Sequence, residues 1–193
     1  MTQVTLNELI KAAQKGALVS FPTDTVPALA TIPLASELIF QAKQRSLDKP
    51  LILMAASIQD IWPYIQGTDK EIEIWQEVAN KYWPGALTLV LPASDRIPPQ
   101  MNPLDPTSIG VRVPNYSLSQ KILAETGPLA TTSANLSGQP PLQNMAEIEK
   151  QFPQALTLSV SELIETPAAG IPSTVAKWTG KDWQILRQGQ VKL

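Results

Sequence analysis

Residues Gly127 to Pro140 read Gly-Pro-Leu-Ala-Thr-Thr-Ser-Ala-Asn-Leu-Ser-Gly-Gln-Pro, and the order of residue types in this stretch carries most of the fold assignment. Leu129 to Thr132 is a short run of strand formers that leads directly into Ser133-Ala134-Asn135. Hydroxyl and amide groups therefore stand at the end of a predicted strand, where open α/β sheets hold their ligands. Ser, Asn and Gly also favour turns for local backbone reasons, so the stretch alone leaves a plain strand-to-turn junction equally open. Working outward, the apolar run Ala17 to Phe21 ends in Pro22-Thr23-Asp24-Thr25, and a helix predicted from Ser36 ends near Lys43-Gln44-Arg45. Three polar clusters, each beside the end of a strand or helix, predict one site assembled from distant segments.

The rest of the chain alternates in the same manner. Leu6, Leu9, Ile10 and Ala13 recur at helical spacing, with Asn7 as the expected N-cap, and Ser36 to Lys43 is a second helix expected to bury Leu38, Ile39 and Ala42. Residues two apart face opposite sides of a helix but the same side of an extended chain, so Lys43 and Arg45 can serve one ligand only if the helix stops near Lys43. Pro50 to Ala55 is continuously apolar, as a strand buried on both faces requires. Ser57 opens a short helix. Asp69 is the expected cap of a longer one, with Ile72, Trp75, Val78, Ala79 and Tyr82 on one stripe, stopped by Trp83-Pro84-Gly85. Ala86 to Leu91 and Ser108 to Val113 are strands separated by Pro92 to Pro106, whose five prolines predict a rigid irregular loop. Ser117 to Glu125 is helical, Asn144 and Glu147 predict a capping box for a helix reaching Phe152, and Ala155 to Ser159 is a strand. Thr174 to Trp178 and Trp183 to Arg187 form a hairpin around Thr179-Gly180-Lys181-Asp182. Alternating helices and strands give the α/β class, with hairpins making a twisted mixed sheet, in a single domain over residues 1–193.

With 193 residues and 44% apolar content the chain can build one substantial core. It contains no cysteine, which excludes disulfides and thiolate chemistry, and no histidine, which excludes imidazole bases and Ser-His-Asp triads. What remains is chemistry that depends on positioning and on neutralising phosphate charge, so nucleotidyl transfer is favoured over hydrolysis. A net charge of -2 argues against coating nucleic acid by bulk electrostatics but allows a local basic cavity. Lys43, Arg45 and Lys49 lie close together, and Arg112, inside the apolar run Ile109 to Val113, requires an anionic partner or a solvent-filled cleft. The start of the chain lacks the profile of a signal peptide and no apolar segment is long enough to span a bilayer, so the expected location is cytoplasmic with no membrane association.

Pro-Thr-Asp-Thr-Val (22–26), Lys43-x-Arg45, Trp83-Pro84-Gly85, Val111-Arg112-Val113, Ser133-x-Asn135, Ser173-Thr174-Val175 and Leu186-Arg187-Gln188-Gly189 occur in the order and spacing of the YrdC-like threonylcarbamoyl-AMP synthases. The chain resembles this family from about residue 7 to 190. The resemblance implies a YrdC-like sheet with a concave basic cavity, and an enzyme that makes threonylcarbamoyl-adenylate and pyrophosphate from ATP, L-threonine and bicarbonate for N6-threonylcarbamoyladenosine in tRNA. It implies Lys43 and Arg45 as catalytic phosphate ligands. Lys49, Ser133, Asn135 and Arg187 are implied as further nucleotide contacts, and Thr25, Arg112, Thr131 and Ser173 as threonine contacts. ATP would be a substrate carrying Mg2+, with no metal held by the protein itself, and the product would pass to a tRNA threonylcarbamoyl transferase machinery. The chain departs from the pattern at Pro27-Ala28, where many relatives have an aromatic residue and glycine, at Ser46, where a proline often follows, and at Met54, where longer relatives carry histidine. A non-catalytic module binding double-stranded or structured RNA, and an ATP-binding paralogue with another small acid as substrate, stand as alternatives.

Overall fold

The computed structural model describes residues 2–163 and 170–193. Helix α1 (Leu6–Gln14) buries Leu6, Leu9, Ile10 and Ala13, as their spacing requires. Its N-cap is Thr5 and not Asn7: Thr5 Oγ1 accepts from Glu8 N while the Glu8 carboxylate accepts from Thr5 N. The reason is the residue three positions on, because Thr5 has Glu8 to complete the reciprocal pair whereas Asn7 would have Ile10. The same rule moves the cap of α4 (Asp69–Tyr82) from Asp69 to Thr68, which pairs with Glu71. Helix α3 (Ile58–Ile61) opens at Ser57 as expected. Helix α2 (Glu37–Lys43) ends at Lys43, but its buried stripe is Ile39, Phe40 and Lys43, and Leu38 is exposed on the outer face. Helices α5 (Ser117–Thr126) and α6 (Met145–Gln151) follow, with Asn144 Oδ1 accepting from Glu147 N at the start of α6.

Ten strands among the described residues form one mixed sheet: β1 (Gln3–Val4), β2 (Val19–Phe21), β3 (Ala28–Thr31), β4 (Ile52–Met54), β5 (Leu87–Pro92), β6 (Ser108–Arg112), β7 (Leu129–Ser133), β8 (Leu156–Leu158), β9 (Thr174–Trp178) and β10 (Trp183–Arg187). Their spatial order is β1-β8-β2-β3-β7-β4-β6-β5-β9-β10. β8 pairs in parallel with β1 and β2, β4 with β6, and β5 with β9, and the remaining neighbours are antiparallel. The Pro92–Pro106 segment is irregular apart from a 3-10 turn at Pro99–Met101, where Met101 is fully buried.

Register decides which side chains share a face, because paired residues point the same way and neighbours along a strand point oppositely. Ala28 pairs with Ser133, Thr131 with Ile52, Met54 with Arg112, and Gly110 with Ile52 and Val90. These residues occupy one face. The alternate set, Leu29, Ala130, Leu53, Val111 and Leu89, enters a core with Ile39, Phe40, Trp75 and Ala79 from α2 and α4. Trp178 stacks edge-on against Trp75 and Trp183, and its Nε1 donates to Glu71, which ties the β9–β10 hairpin to α4. On the first face, α1 and α5 pack Leu9, Ile10, Ala13, Ile122 and Leu123 against Val19, Phe21, Ala30 and Leu129. Beyond them, over β4, β6 and β5, this face opens into cavities. Strand β4 is buried on both faces as its apolar run requires: Leu53 is fully buried in the core under α2 and α4, Met54 is buried in the cluster under α1 and α5, and Ile52 is half-buried where that second face opens. No helix among the described residues is long and apolar enough to cross a membrane.

Candidate active site

A cavity of about 310 Å³ lies on the open sheet face. It draws on residues expected from the sequence: Thr25, Arg45, Arg112, Thr131, Ser133, Asn135, Ser173 and Arg187 all line it. Lys43 and Lys49 are not among its lining residues. The sequence pattern places ligand groups beyond the strand ends, yet Thr131 and Ile52 are within strands and Arg112 and Ser133 are the last residues of theirs. The site thus lies across the sheet, where helix cover stops. Three arginines and no carboxylate occur among the lining residues, which gives the wall a cationic character that Asp24, paired with Arg112, offsets in part. A second cavity of about 340 Å³ shares Arg45, Pro50, Ile52 and Arg187 with it and continues past Ser108, Gly110, Thr88 and Lys177.

Arg112 is 4% exposed and its partners are found nearby. Nη2 pairs with Asp24 Oδ1 at 2.5 Å, Nη1 donates to Thr25 Oγ1 at 2.8 Å, and Nε donates to Gly85 O at 3.1 Å. Burial pulls the guanidinium pKa down, and Asp24 opposes that shift. Asp24 lies between Thr23 and Thr25, whose hydroxyls are 3.2 Å apart and both buried in the cavity wall. Thr23 Oγ1 donates to Val26 O, so Thr25 is the donor of that pair. Asp24 is a site residue that the alternation of the two threonines hides, since it faces away from them in sequence and meets Arg112 only in the fold. Thr88 is another: its hydroxyl lies 2.8 Å from Ser173 Oγ, a contact created by β5–β9 pairing across 85 positions.

Arg187, the last residue of β10, donates from Nε to Ser173 O and from Nη2 to Ser173 Oγ at 3.2 Å. Gly189 N then donates to Thr174 Oγ1, in a space so close to Pro172 and Thr174 that a Cβ on residue 189 would lie 2.3 Å from Pro172 O. Arg45 donates to the carbonyls of Lys49 and Pro50, which curls residues 45–50 around its guanidinium at the rim. Lys49 Nζ reaches Ser137 Oγ. Lys43 turns the other way. Gln44 between them adopts a left-handed conformation at φ 49°, so the chain reverses at the end of α2 and separates the two cations. Lys43 is 1% exposed, and its Nζ donates to Ser133 O, Asn135 Oδ1 and Thr132 Oγ1. Burial first, then Arg45 and Lys49, lower its pKa to about 7.

Among the described residues no cluster of three or more Asp or Glu could hold a metal ion. Thr131 Oγ1 donates to Ile52 O, and Ser133 Oγ donates to Asn135 Oδ1 at 2.6 Å.

Residues 11–189 match the family Sua5_yciO_yrdC, described as "Telomere recombination". The chain is 37% identical over 187 residues to a Vibrio campbellii protein named threonylcarbamoyl-AMP synthase, covering 94% of this chain and 97% of that one. It is 32% identical over 188 residues to a Photobacterium profundum protein of the same name, covering 95% and 98%. The structure of P. abyssi Sua5 complexed with L-threonine superimposes with a TM-score of 0.81 at 29% identity, and this chain spans 95% of its own length but only 54% of that longer chain. E. coli YciO shares the fold with a TM-score of 0.82 at 22% identity, over 97% of this chain and 90% of that one. With the motif order, the sheet and the matched length in agreement, the chain belongs to the Sua5/YciO/YrdC family.

Proposed function

We propose that this chain is a threonylcarbamoyl-AMP synthase that joins L-threonine, bicarbonate and the adenylyl group of ATP, for the N6-threonylcarbamoyladenosine modification of tRNA. The single observation that carries the proposal is a cavity lined by three arginines, several hydroxyls and no carboxylate. Its size falls at the lower end of the roughly 300–1,000 Å³ usual for small-molecule sites, and the adjoining cavity on the same face extends the room. The names of the Vibrio and Photobacterium relatives, and the threonine bound to P. abyssi Sua5, support the same assignment.

In this scheme the amine of threonine attacks the carbon of bicarbonate, water leaves, and a carbamate forms. A carbamate oxygen then attacks the α-phosphorus of Mg-ATP, and the bond to the bridging oxygen of pyrophosphate breaks. Proton demands at the second step are small, which suits a chain without histidine. The work falls on charge neutralisation and orientation. Arg45 at the rim suits the pyrophosphate, because Nε and Nη2 anchor the guanidinium on backbone carbonyls while its remaining N–H groups and its charge stay at the cavity edge. Arg112 and Thr25 suit the threonine carboxylate and hydroxyl, Thr131 and Ser173 complete that end, and Arg187 and Ser133 suit the nucleotide. Pyrophosphate release that requires ATP, threonine and bicarbonate together is the test. Release that ignores threonine, or none at all from folded protein, overturns the proposal.

A further inference from the structure

Among the described residues, Lys43 is the only lysine that is buried, and its surroundings determine the polarity of the cavity wall above it. The Asn135 amide atom that faces Leu136 O and Gln139 O must be Nδ2, because carbonyls only accept, so the atom 3.2 Å from Lys43 Nζ is the amide oxygen, which accepts from Nζ in either protonation state. Asn135 Nδ2 therefore lies on the opposite side, where it gives its hydrogens to Leu136 O at 2.8 Å and Gln139 O at 2.6 Å. The same Oδ1 is 2.6 Å from Ser133 Oγ. Since that oxygen can only accept, the single proton of Ser133 is directed inward, and the hydroxyl offers lone pairs alone to the cavity it lines. The amide of Asn135 is saturated by four protein contacts, with no hydrogen left for a ligand. The Lys43 backbone carbonyl also accepts from Ser137 N, so residues 133–137 are held to the end of α2 from two sides.

We propose that Lys43 is a positioning residue and not a phosphate ligand: acting through Asn135, it makes Ser133 an obligate acceptor that selects an N–H or O–H group on the ligand. This rests on the nucleotide reading above and names the part of the nucleotide concerned. A phosphate oxygen offers no proton to such a hydroxyl, whereas a nucleobase amine or a ribose hydroxyl does. The same polarity recurs at Thr131, whose proton goes to Ile52 O, and at Thr25, whose proton goes to Thr23. The cavity therefore presents donors on its arginines and acceptors on the hydroxyls of Ser133, Thr131 and Thr25.

The test is a titration of adenosine, AMP and ATP against wild type, Lys43→Met, Lys43→Arg, Ser133→Ala and Arg45→Ala by calorimetry. Lys43→Met and Ser133→Ala should weaken all three nucleotides by the same factor, about tenfold, because the interaction lost lies at the nucleoside. Arg45→Ala should instead cost more as phosphates are added, and Lys43→Arg, which keeps a donor, should restore most of the nucleoside affinity. A Lys43→Met loss that grows from adenosine to ATP, or no loss at all, overturns the proposal. Inosine monophosphate, which lacks the amine, and 2′-deoxy-AMP, which lacks a ribose hydroxyl, separate the two sources: the one insensitive to Ser133→Ala identifies the group read. A readout without ligand comes from amide exchange, in which residues 133–139 should open faster in Lys43→Met while β2 and β8 stay protected. If wild type binds none of the nucleotides, the synthase assignment fails and the selection of a ligand N–H or O–H with it. The exchange data then still decide whether Lys43 clamps Asn135, and unchanged exchange would overturn that as well.

Discussion

Replacing Arg112 by methionine keeps the apolar stem of the side chain and removes the guanidinium, so the effect can be worked from its three contacts. Asp24 loses a partner at 2.5 Å, Thr25 Oγ1 one at 2.8 Å and Gly85 O one at 3.1 Å, in a place where the arginine itself is 4% exposed. Removing one member of a buried ion pair typically costs about 3–5 kcal/mol, because the other charge is left without compensation. Asp24 retains some solvent, at 14% exposure, so the lower end applies and about 3 kcal/mol is expected. For a chain of this size each kcal/mol shifts the midpoint by about 2–4 °C, so thermal unfolding should fall by roughly 6–12 °C. Adding Asp24→Asn to Arg112→Met removes the orphan charge and should recover about 1 kcal/mol or more. In ligand titrations the same Arg112→Met change should weaken threonine by about a hundredfold and ATP by no more than about threefold. Urea and thermal unfolding of the two variants decide the structural part. A loss below about 1 kcal/mol for Arg112→Met, or a double variant less stable than the single one, would refute the reasoning. Equal losses for threonine and ATP would remove Arg112 from the threonine end of the site.

Lys43 makes stability depend on pH: the unfolded chain keeps its proton up to about 10.5 while the folded chain releases it near pH about 7. Stability should therefore rise as pH increases from 7 toward 10 and lose that slope below 7, with Arg45 and Lys49 as the charged neighbours; a Lys43→Met urea profile as steep as wild type would exclude this origin. Gly189→Ala should cost about 2 kcal/mol or more and release Arg187 from Ser173, since the added methyl would meet Pro172 O at 2.3 Å and Thr174 N at 2.5 Å; a variant with wild-type unfolding and nucleotide affinity would contradict it. Thr5→Ala should cost about 1 kcal/mol through the lost capping box, and leave pyrophosphate release per folded molecule unchanged, as denaturation and turnover measured on one sample would report.

The elements were legible in the sequence wherever a single periodicity ran unbroken. The β9–β10 hairpin begins and ends where its alternation predicts, and α2 stops at Lys43 as the demands on Lys43 and Arg45 suggest. Caps were misplaced by one or two residues because Asn7 and Asp69 are good cap types, while the deciding factor is the acid three positions after Thr5 and Thr68. The direction of side chains was not legible. Nothing in Lys-Gln-Arg announces that Gln44 takes a left-handed turn, because glutamine has no special preference for it, and that one dihedral sends Lys43 under the cavity and Arg45 to its rim. Asp24 and Thr88 were hidden for a different reason: their partners, Arg112 and Ser173, are 88 and 85 positions away and meet them only when the sheet assembles, which a linear motif does not encode.

The departure at Pro27-Ala28 shows how the two levels meet. Pro27 contributes to the site region through its carbonyl, which accepts from Ala134 N at 2.9 Å, and a proline keeps that carbonyl although it lacks an N–H. Ala28 begins β3 opposite Ser133, with its small side chain on the cavity face, so it neither fills the site nor requires positive φ there. A stiffer segment with the same acceptor still hands Ala134, and through it the Ser133–Asn135 corner, to the edge of β3. The substitution that looks most disruptive in a string of letters is thus one that the backbone hydrogen bonds accommodate. Lys43, which looks like an ordinary member of the basic cluster, instead determines which way the hydroxyl of Ser133 points.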